Sequence, residues 1–308
     1  MRLSHPLKRT VMMTVLACAG LLVAPSQTLA QPDGFDGSKA RVNLSNKLEM
    51  LTQTIASASC RASAGIAADA AVAELEAARI QFNTIIDGLQ QGDMALGIPS
   101  AESNRVVLAS IEKVLSAWEP IDGAAEALVS DALGKIRAAE IIATSNLSLL
   151  EATEILASDI SGRYSNPNEL TQADAMALKI AGRQRMLGHR ITKAVCGIVT
   201  ASDTVGTVDA LGQSLDMYSI SLTALRDGMA AAGVNPPPND IIKEELAAVS
   251  ETWGQSKSVL DAIRGGMAPT AENVESLAEV STALMTDMSN VVTLYMLSTP
   301  GQEDVYRV

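Results

Sequence analysis

The sequence has few aromatic residues for its hydrophobic content. Aromatic side chains make up only 3% of the 308 residues, although hydrophobic residues make up 47%. The core must therefore be filled by Ala, Leu, Ile, Val and Met, which suits close-packed helices better than sheets. No segment shows sustained strand alternation. The composition predicts an all-α protein.

Histidine and the common catalytic motifs are also scarce. His189 is the only histidine after residue 30, which excludes a metal site built from a histidine cluster. The sequence contains no phosphate-binding glycine loop, no zinc-protease motif and no nucleophile elbow. The thirteen methionines are scattered, as expected of core filler. We therefore expect no enzyme activity, no cofactor and no bound metal.

The first thirty residues have the layout of an export signal. Three basic residues among the first nine precede an apolar stretch at 11–24, and small residues precede a cleavage site between Ala30 and Gln31. The apolar stretch is too short for a comfortable membrane span. We predict a signal peptide at 1–30 and a periplasmic or secreted protein.

Two further readings depend on this segment. In the first, Cys18 is the acylated cysteine of a lipoprotein, but the apolar run continues past it, so a cleaved signal is preferred. The second concerns charge. Cleavage would remove three basic residues and no acidic ones, taking the formal net charge from −12 to −15. Such an acidic chain repels nucleic acid and anionic membranes, so neither is an expected partner.

An internal repeat with an offset of 136 residues organises the chain. The segment 42–55 can be laid over 178–191, and the offset pairs Met50 with Met186, Cys60 with Cys196, Phe82 with Tyr218, Gly92 with Gly228 and Gly97 with Gly233. After a single-residue gap Trp118 falls on Trp253, and these are the only two tryptophans. Paired repeat positions usually encode packing, so we predict that Trp118, Trp253, Met50 and Met186 are core anchors.

Each copy reads as four helices. In the first copy they are predicted at 38–64, at 67–91, at 101–118 continuing towards 138, and at 139–162, and the last helix of the second copy at 271–297. Segment 165–168 separates the copies, and 171–174 resembles a helix cap. We predict two tandem antiparallel four-helix bundles, at 31–164 and 165–298, followed by a tail at 299–308.

The second copy carries a recognisable motif. Its segment 180–191 resembles the opening helix of the PilJ/NarX-like N-terminal sensor domain, found in extracytoplasmic parts of type IV pilus chemotaxis transducers and nitrate/nitrite sensor kinases. The match spans Ala181 to Arg190, with His189 where the family often has Gln. The region around Trp253 is also similar. The resemblance covers 168–298 well and 38–162 more weakly, and it implies two tandem sensor-type units.

The resemblance implies an anion site. In the nitrate sensors an arginine of this motif binds the anion between two equivalent helices, and the matching position is Arg185. A guanidinium fork fits a planar oxyanion. Arg183 and Arg190 share one helix face, whereas Arg185 and His189 share another. All four are candidate ligand-binding residues, and a His189 that titrates near neutrality would make binding pH-dependent. The alternative is that the arginines pair with carboxylates or lie in water, and that His189 is an ordinary polar residue.

The first copy departs from this motif. Lys47 replaces Arg183, Thr54 replaces Arg190, and Glu49 replaces Arg185. If the two copies pair within one chain, we expect Glu49 and Arg185 to form a salt bridge that repels an anion. The alternatives are a homodimer through two second copies, or a first copy that survives as a scaffold.

The two cysteines that remain after cleavage occupy one repeat position. If the copies meet about a pseudo-twofold axis through their first helices, Cys60 and Cys196 approach each other. We predict a disulfide between them, since the compartment is oxidising. The alternative is two buried free thiols.

The functional prediction is a non-catalytic extracytoplasmic binding module of the sensor type, for a small oxyanion such as nitrate or nitrite, or for another small ligand. No HAMP-like, kinase or methyl-accepting region follows Met296, so a separate membrane sensor or envelope protein would have to receive its state. The alternative is a ligand-free helical scaffold in the cell envelope, related to pili or chemotaxis.

Overall fold

The computed structural model describes residues 37–164, 172–201 and 204–298. These ranges contain α-helices and two short 3-10 helices, with no strand beyond isolated bridges. The helices are α1 (Ser38–Ala64), α2 (Ala68–Gln91), α3 (Arg105–Val129), α4 (Lys135–Tyr164), α5 (Gln172–Val199), α6 (Thr204–Asp227), α7 (Asp240–Arg264) and α8 (Ala271–Leu297). The all-α prediction is confirmed. The predicted signal peptide, Cys18, the separator at 165–168 and the tail at 299–308 lie outside the described residues.

The helices form two four-helix bundles. In the first bundle, α1 packs against α2 and α4, and α3 packs against both of those helices. In the second, α5 packs against α6 and α8, and α7 packs against both. The predicted tandem arrangement is confirmed. The bundles meet through α1 and α5, the first helix of each copy, within one compact unit.

The helix ends agree with the sequence prediction except around the third helix. The prediction continued that helix towards 138, but α3 ends at Val129 and α4 already begins at Lys135. Between them Asp131 and Gly134 have positive φ angles of 55° and 77°, a left-handed conformation that ends a helix. The apolar period continues across this turn, which is why the sequence pattern did not show it.

The connection after the second helix has the same backbone in both copies. Short 3-10 helices at Met94–Leu96 and Ala230–Ala232 follow Gly92 and Gly228, whose φ angles are 82° and 79°. A Cβ on Gly92 would lie 2.6 Å from the carbonyl carbon of Ser100, so the close return of the chain requires glycine there. The repeat is therefore structural as well as sequential.

Each bundle core contains one stacked aromatic pair. Trp118 stacks on Phe82 at 4.1 Å between ring centroids, and Trp253 stacks on Tyr218 at 4.0 Å. Both tryptophans are buried, as are Met50 and Met186. The four predicted anchors thus lie in the core, where the aromatic pairs provide equivalent packing in the two copies.

Candidate functional site

The interface between the bundles is a parallel pair of helices in register. A Cβ on Gly182 of α5 would lie 3.2 Å from the Cβ of Asn46 on α1, and Cys60 and Cys196 are also in contact. Each contact joins residues that are equivalent in the two copies, and the two contacts lie 14 residues apart along each helix. The two copies therefore face each other as the two halves of a pseudo-dimer.

A disulfide joins the two helices near their C-terminal ends. Cys60 and Cys196 have their sulfur atoms 2.04 Å apart and their Cα atoms 6.3 Å apart. Cys196 is fully buried. This pairing is the one that the repeat position favours, and it connects the first bundle covalently to the second.

Arg185 lies buried at this interface with only 4% of its surface exposed. Its Nη1 donates to Ser289 Oγ of α8 at 3.5 Å, and its Nη2 donates to Asn43 Oδ1 of α1 at 3.3 Å. Both bonds are long and both acceptors are neutral. Within the described ranges no carboxylate oxygen lies within 4 Å of this guanidinium, so a buried cation has no counter-ion in contact.

The salt bridge expected between Glu49 and Arg185 is not present among the described contacts, and that prediction is wrong. A helical side chain points towards the helix N-terminus. Arg185 accordingly reaches back to Asn43, six positions before Glu49 on the neighbouring helix. The two groups still influence each other through space. Burial lowers the pKa of Arg185 to about 10, and the charge of Glu49 opposes this effect.

Two groups at this interface have a pKa near neutrality: Glu49, and Lys193, whose pKa burial lowers to about 8. Burial and, to a lesser extent, the nearby charge of Glu154 raise the pKa of Glu49 to about 7. The positive charges of Arg183, Lys179 and Arg185 act in the opposite direction. The repeat identified Glu49 as a substitution, but its burial becomes visible only in the packed structure.

His189 is 2% exposed and is not a pH sensor near neutrality. Its Nδ1 lies 3.7 Å from Glu74 Oε1, whereas its Nε2 has no hydrogen-bond partner. Burial lowers its pKa to about 4, and the charge of Arg61 contributes to the same effect. The prediction that His189 titrates near neutrality is wrong, because the packing of α1 against α5, with Glu74 of α2 beside the imidazole, removes the side chain from water.

Arg183 and Arg190 lie on a different face of α5 from Arg185. Arg183 is exposed and Arg190 is half-buried. Burial lowers the pKa of Arg190, while the charge of Glu154 opposes it and Arg183 lowers it further. The structure thus brings Arg185 and His189 into the interior and leaves Arg183 and Arg190 on the outer side of the interface.

Two neighbouring side chains, Lys193 and the buried Asn146, were not singled out from the sequence. Lys193 Nζ donates to Asn146 Oδ1 of α4 at 2.8 Å, and Gln53 Nε2 donates to the same oxygen at 3.0 Å. Lys193 follows Arg190 by three positions, so the helical spacing of the cations was a usable signal. Asn146 left no such signal, because its partners come from other helices.

A small cavity adjoins the site. It has a volume of about 10 Å³ and is lined by Lys39, Val42, Asn43, Asn46, Leu178 and Val292. That volume is about the size needed for one water molecule. Asn43, which accepts a hydrogen bond from Arg185, is shared between the cavity and the guanidinium. An oxyanion in contact with Arg185 would therefore require α1 or α8 to shift.

Other kinds of site have no support in the described ranges. Within them no group of three or more His, Cys, Asp or Glu side chains is arranged to hold a metal ion. No described helix is both long enough and apolar enough to cross a membrane.

The structure consists of two tandem helical bundles that pair through their first helices. The family model of the type IV pili methyl-accepting chemotaxis transducer N-terminal domain, PilJ, matches residues 35–144 and 169–278. Since the two matches together cover more than half of the chain, the protein belongs to this family and contains two tandem copies of its domain. No curated protein matches the chain. The chain is thus built from sensor-type modules of the chemotaxis-transducer class.

Proposed function

We propose that this protein is a non-catalytic extracytoplasmic sensor module that binds a small oxyanion at Arg185, between α1 and α5. In this proposal it passes its state to a separate membrane protein. The family supports the sensor class. The observation that carries the anion proposal is the buried guanidinium of Arg185, which contacts only neutral oxygens.

Arg185 has no counter-ion in contact within the described ranges. A buried charge without a partner of opposite sign is costly, and an arginine that is retained in this state is a candidate for binding an anion. Planar oxyanions such as nitrate and nitrite suit the two-pronged guanidinium. A Cβ on Gly182 would lie 3.7 Å from Nη2 of Arg185, so the glycine leaves the side of the guanidinium that faces it without a side chain of its own.

The proposed state change follows from the packing. The disulfide holds α1 and α5 together at Cys60 and Cys196, whereas Arg185 lies eleven positions nearer the N-terminus of α5. Entry of an anion would shift α1 or α8 on the far side of the disulfide. Lys39 Nζ bonds to the carbonyl oxygen of Met296 at 3.3 Å in that region, so the start of α1 and the end of α8 would move together.

A thermal-shift measurement on the disulfide-intact protein tests this proposal. Nitrate, nitrite and sulfate are titrated against the wild type, Arg185→Ala and Arg79→Ala. Arg79 is the matched control, because it is ion-paired with Asp122 in the first bundle. A ligand at a hundred times its Kd stabilises the fold by about 2.7 kcal/mol.

We expect a saturable rise in melting temperature for the wild type and for Arg79→Ala, and no rise for Arg185→Ala. If no oxyanion shifts the wild type, or if Arg185→Ala shifts equally, the anion proposal is rejected.

Two observations favour the second candidate function, a ligand-free scaffold in the cell envelope. Glu49 occupies the position where a symmetric pair would present a second arginine, and the cavity beside Arg185 holds about one water. Under this alternative Arg185 is a packing residue. No anion would then change the melting temperature, and Arg185→Gln would retain the wild-type stability and fold.

A further inference from the structure

Four cations form a strip along the outer side of α5. They are Lys179, Arg183, Arg190 and Lys193, and they are called the α5 strip. At 100° per residue the four positions lie within about 80° of arc, and at 1.5 Å per residue they span about 21 Å. Lys179 and Arg183 are exposed and Arg190 is half-buried. Lys193 forms the inner end of the strip: its ammonium bonds to the buried Asn146, and burial lowers its pKa to about 8.

The strip lacks contacting counter-ions, although the chain is acidic. Within the described ranges none of the four cations has a carboxylate oxygen within 4 Å, and Lys193 bonds to the neutral Asn146. The nearby acids are Glu154 of α4 and Glu49 of α1, the latter half-protonated near neutrality. The whole chain has a formal net charge of −12, so a cluster with this excess of positive charge is an exception on its surface.

The strip is specific to the second copy. The equivalent positions of the first copy are Asn43, Lys47, Thr54 and Ser57, of which one is charged. If the cations served packing alone, the same positions in the paired helix would be expected to keep them. The strip also lies on a different face of α5 from Arg185, so the two sites are separate.

The dimensions favour an extended polypeptide over other anions. A strand-like segment rises about 3.3 Å per residue, so about six residues would follow the 21 Å strip. A small anion would contact only one or two of the cations. Lys193 is recessed beside Asn146, where a flat membrane surface would not reach it.

We propose that the α5 strip is a docking surface for an acidic polypeptide segment of the protein that receives the signal. This inference rests on the proposed function, in which a separate partner is needed. Carboxylates along the segment would pair with the four cations, and Glu154 would oppose them from the middle of the strip.

Fluorescence anisotropy with a labelled ten-residue polyglutamate peptide tests the docking surface on the disulfide-intact protein. We expect saturable binding that weakens as salt rises. Arg190→Gln with Lys193→Gln should bind about tenfold more weakly, since the two ion pairs that these cations form with the peptide are lost. The exposed pair Lys179→Gln with Arg183→Gln should give a similar loss, and it cannot act through core packing.

Two further variants make the test specific. Glu154→Gln should bind the peptide about threefold more tightly, because it removes a repulsive charge of surface strength. Arg105→Gln with Lys113→Gln, two exposed cations of α3, should bind as the wild type does. Each variant is checked by its far-UV circular dichroism and melting temperature.

The outcomes of these measurements distinguish failure of the docking surface from failure of the proposed function. Any of three results would overturn the docking surface. The first is no saturable peptide binding at low salt, and the second is wild-type affinity in both strip variants. The third is binding to phosphatidylserine vesicles but not to the peptide. The oxyanion titration is repeated on the strip variants, where we expect the anion response to persist. If that response persists and peptide binding is absent, only the docking surface is rejected. If it is absent from the wild type as well, the proposed function fails independently.

Discussion

The two copies have the same backbone plan, but two of their buried arginines, Arg41 in the first copy and Arg185 in the second, have different surroundings. Arg41 in the first copy is 1% exposed and lies against Glu102, with Nη1 to Oε2 at 3.3 Å. Tyr164 donates to the same carboxylate at 2.7 Å, and the carbonyl oxygens of Leu89 and Ser100 accept from Arg41. Arg185 in the second copy has no carboxylate in contact within the described ranges.

The difference separates a structural arginine from a candidate binding arginine. Both leave their Nε atom without a hydrogen-bond partner, so an unbonded nitrogen does not distinguish them. What distinguishes Arg41 from Arg185 is the carboxylate in contact with it. Arg41 closes a network that ties the start of α1 to the end of α4, and Ala177 occupies the equivalent position in the second copy. Duplication has thus preserved the architecture while the charged positions have diverged.

The largest expected effect concerns the covalent link between the copies. Cys60→Ser with Cys196→Ser opens a loop of 136 residues, and the loss of chain constraint should lower the free energy of unfolding by about 5 kcal/mol. Urea unfolding measures this loss. Intact mass under non-reducing conditions should be 2 Da below the reduced mass. Two free thiols in the native protein, or unchanged stability in the variant, would contradict the link.

Arg41 and Arg185 provide the next test. Arg41→Ala leaves the buried carboxylate of Glu102 without its paired cation, so the free energy of unfolding should fall by about 3–5 kcal/mol. Arg185→Ala removes no partner from a contacting carboxylate, so it should lower the free energy of unfolding by about 1 kcal/mol or less. Urea unfolding of both variants in anion-free buffer compares them. Equal losses would remove the distinction between the two copies.

The third prediction concerns pH and Glu49. Its pKa in the folded state is about 7, above the ordinary value of 4.5, so the folded protein binds an extra proton between these pH values. Stability from this group is full below about pH 4.5 and is lost as pH rises to 7. Glu49→Gln should therefore match the wild type near pH 4.5 and exceed it by on the order of 3 kcal/mol at pH 8.

Urea unfolding at several pH values measures the difference in the free energy of unfolding between Glu49→Gln and the wild type. The contributions of the other titrating groups cancel in this difference. The burial of His189 has the opposite sign, because a pKa lowered to about 4 costs stability as pH falls below 6.5. His189→Gln is thus the matched comparison. A pH-independent difference for Glu49→Gln would contradict the assignment.

The smallest expected effect compares the two aromatic pairs. Trp118 Nε1 donates to Asn83 Oδ1 at 2.7 Å, and Trp253 has no such partner among the described residues. Both residues stack equivalently, so Trp118→Phe should be more destabilising than Trp253→Phe by about 1 kcal/mol. Thermal unfolding of the two variants measures it. A larger loss in Trp253→Phe would show that the two cores are not equivalent.

The fold was largely predictable, because the information lies in local periodicity and in the repeat. The apolar spacing predicted α1 and α8 to the residue, and the shared repeat position of Cys60 and Cys196 anticipated the parallel pairing of the first helices. The turn at Asp131 was missed because the apolar pattern runs through it. Local sequence patterns thus suffice for elements and for their pairing.

The candidate site was less predictable, since its properties arise from packing between distant segments. The motif identified Arg185, but not its reach to Asn43 past Glu49. Burial moved the expected titration near neutrality from His189 to Glu49, because the packing of α1 against α5 removes the histidine from water and α4 contributes a neighbouring acid to the glutamate. Such shifts depend on which side chains are excluded from water, and sequence spacing does not specify that.

Residue-specific NMR of the arginine Nε–Hε groups tests the central claim, that Arg185 is a binding residue and Arg41 a structural one. The ¹⁵N-labelled, disulfide-intact protein is titrated with nitrate, nitrite and sulfate in turn. The account predicts that at least one oxyanion shifts the Arg185 resonance saturably, while Arg41 stays unchanged. An Arg185 resonance that does not respond to any of the three, or that shifts only linearly as exposed Arg183 does, would contradict it.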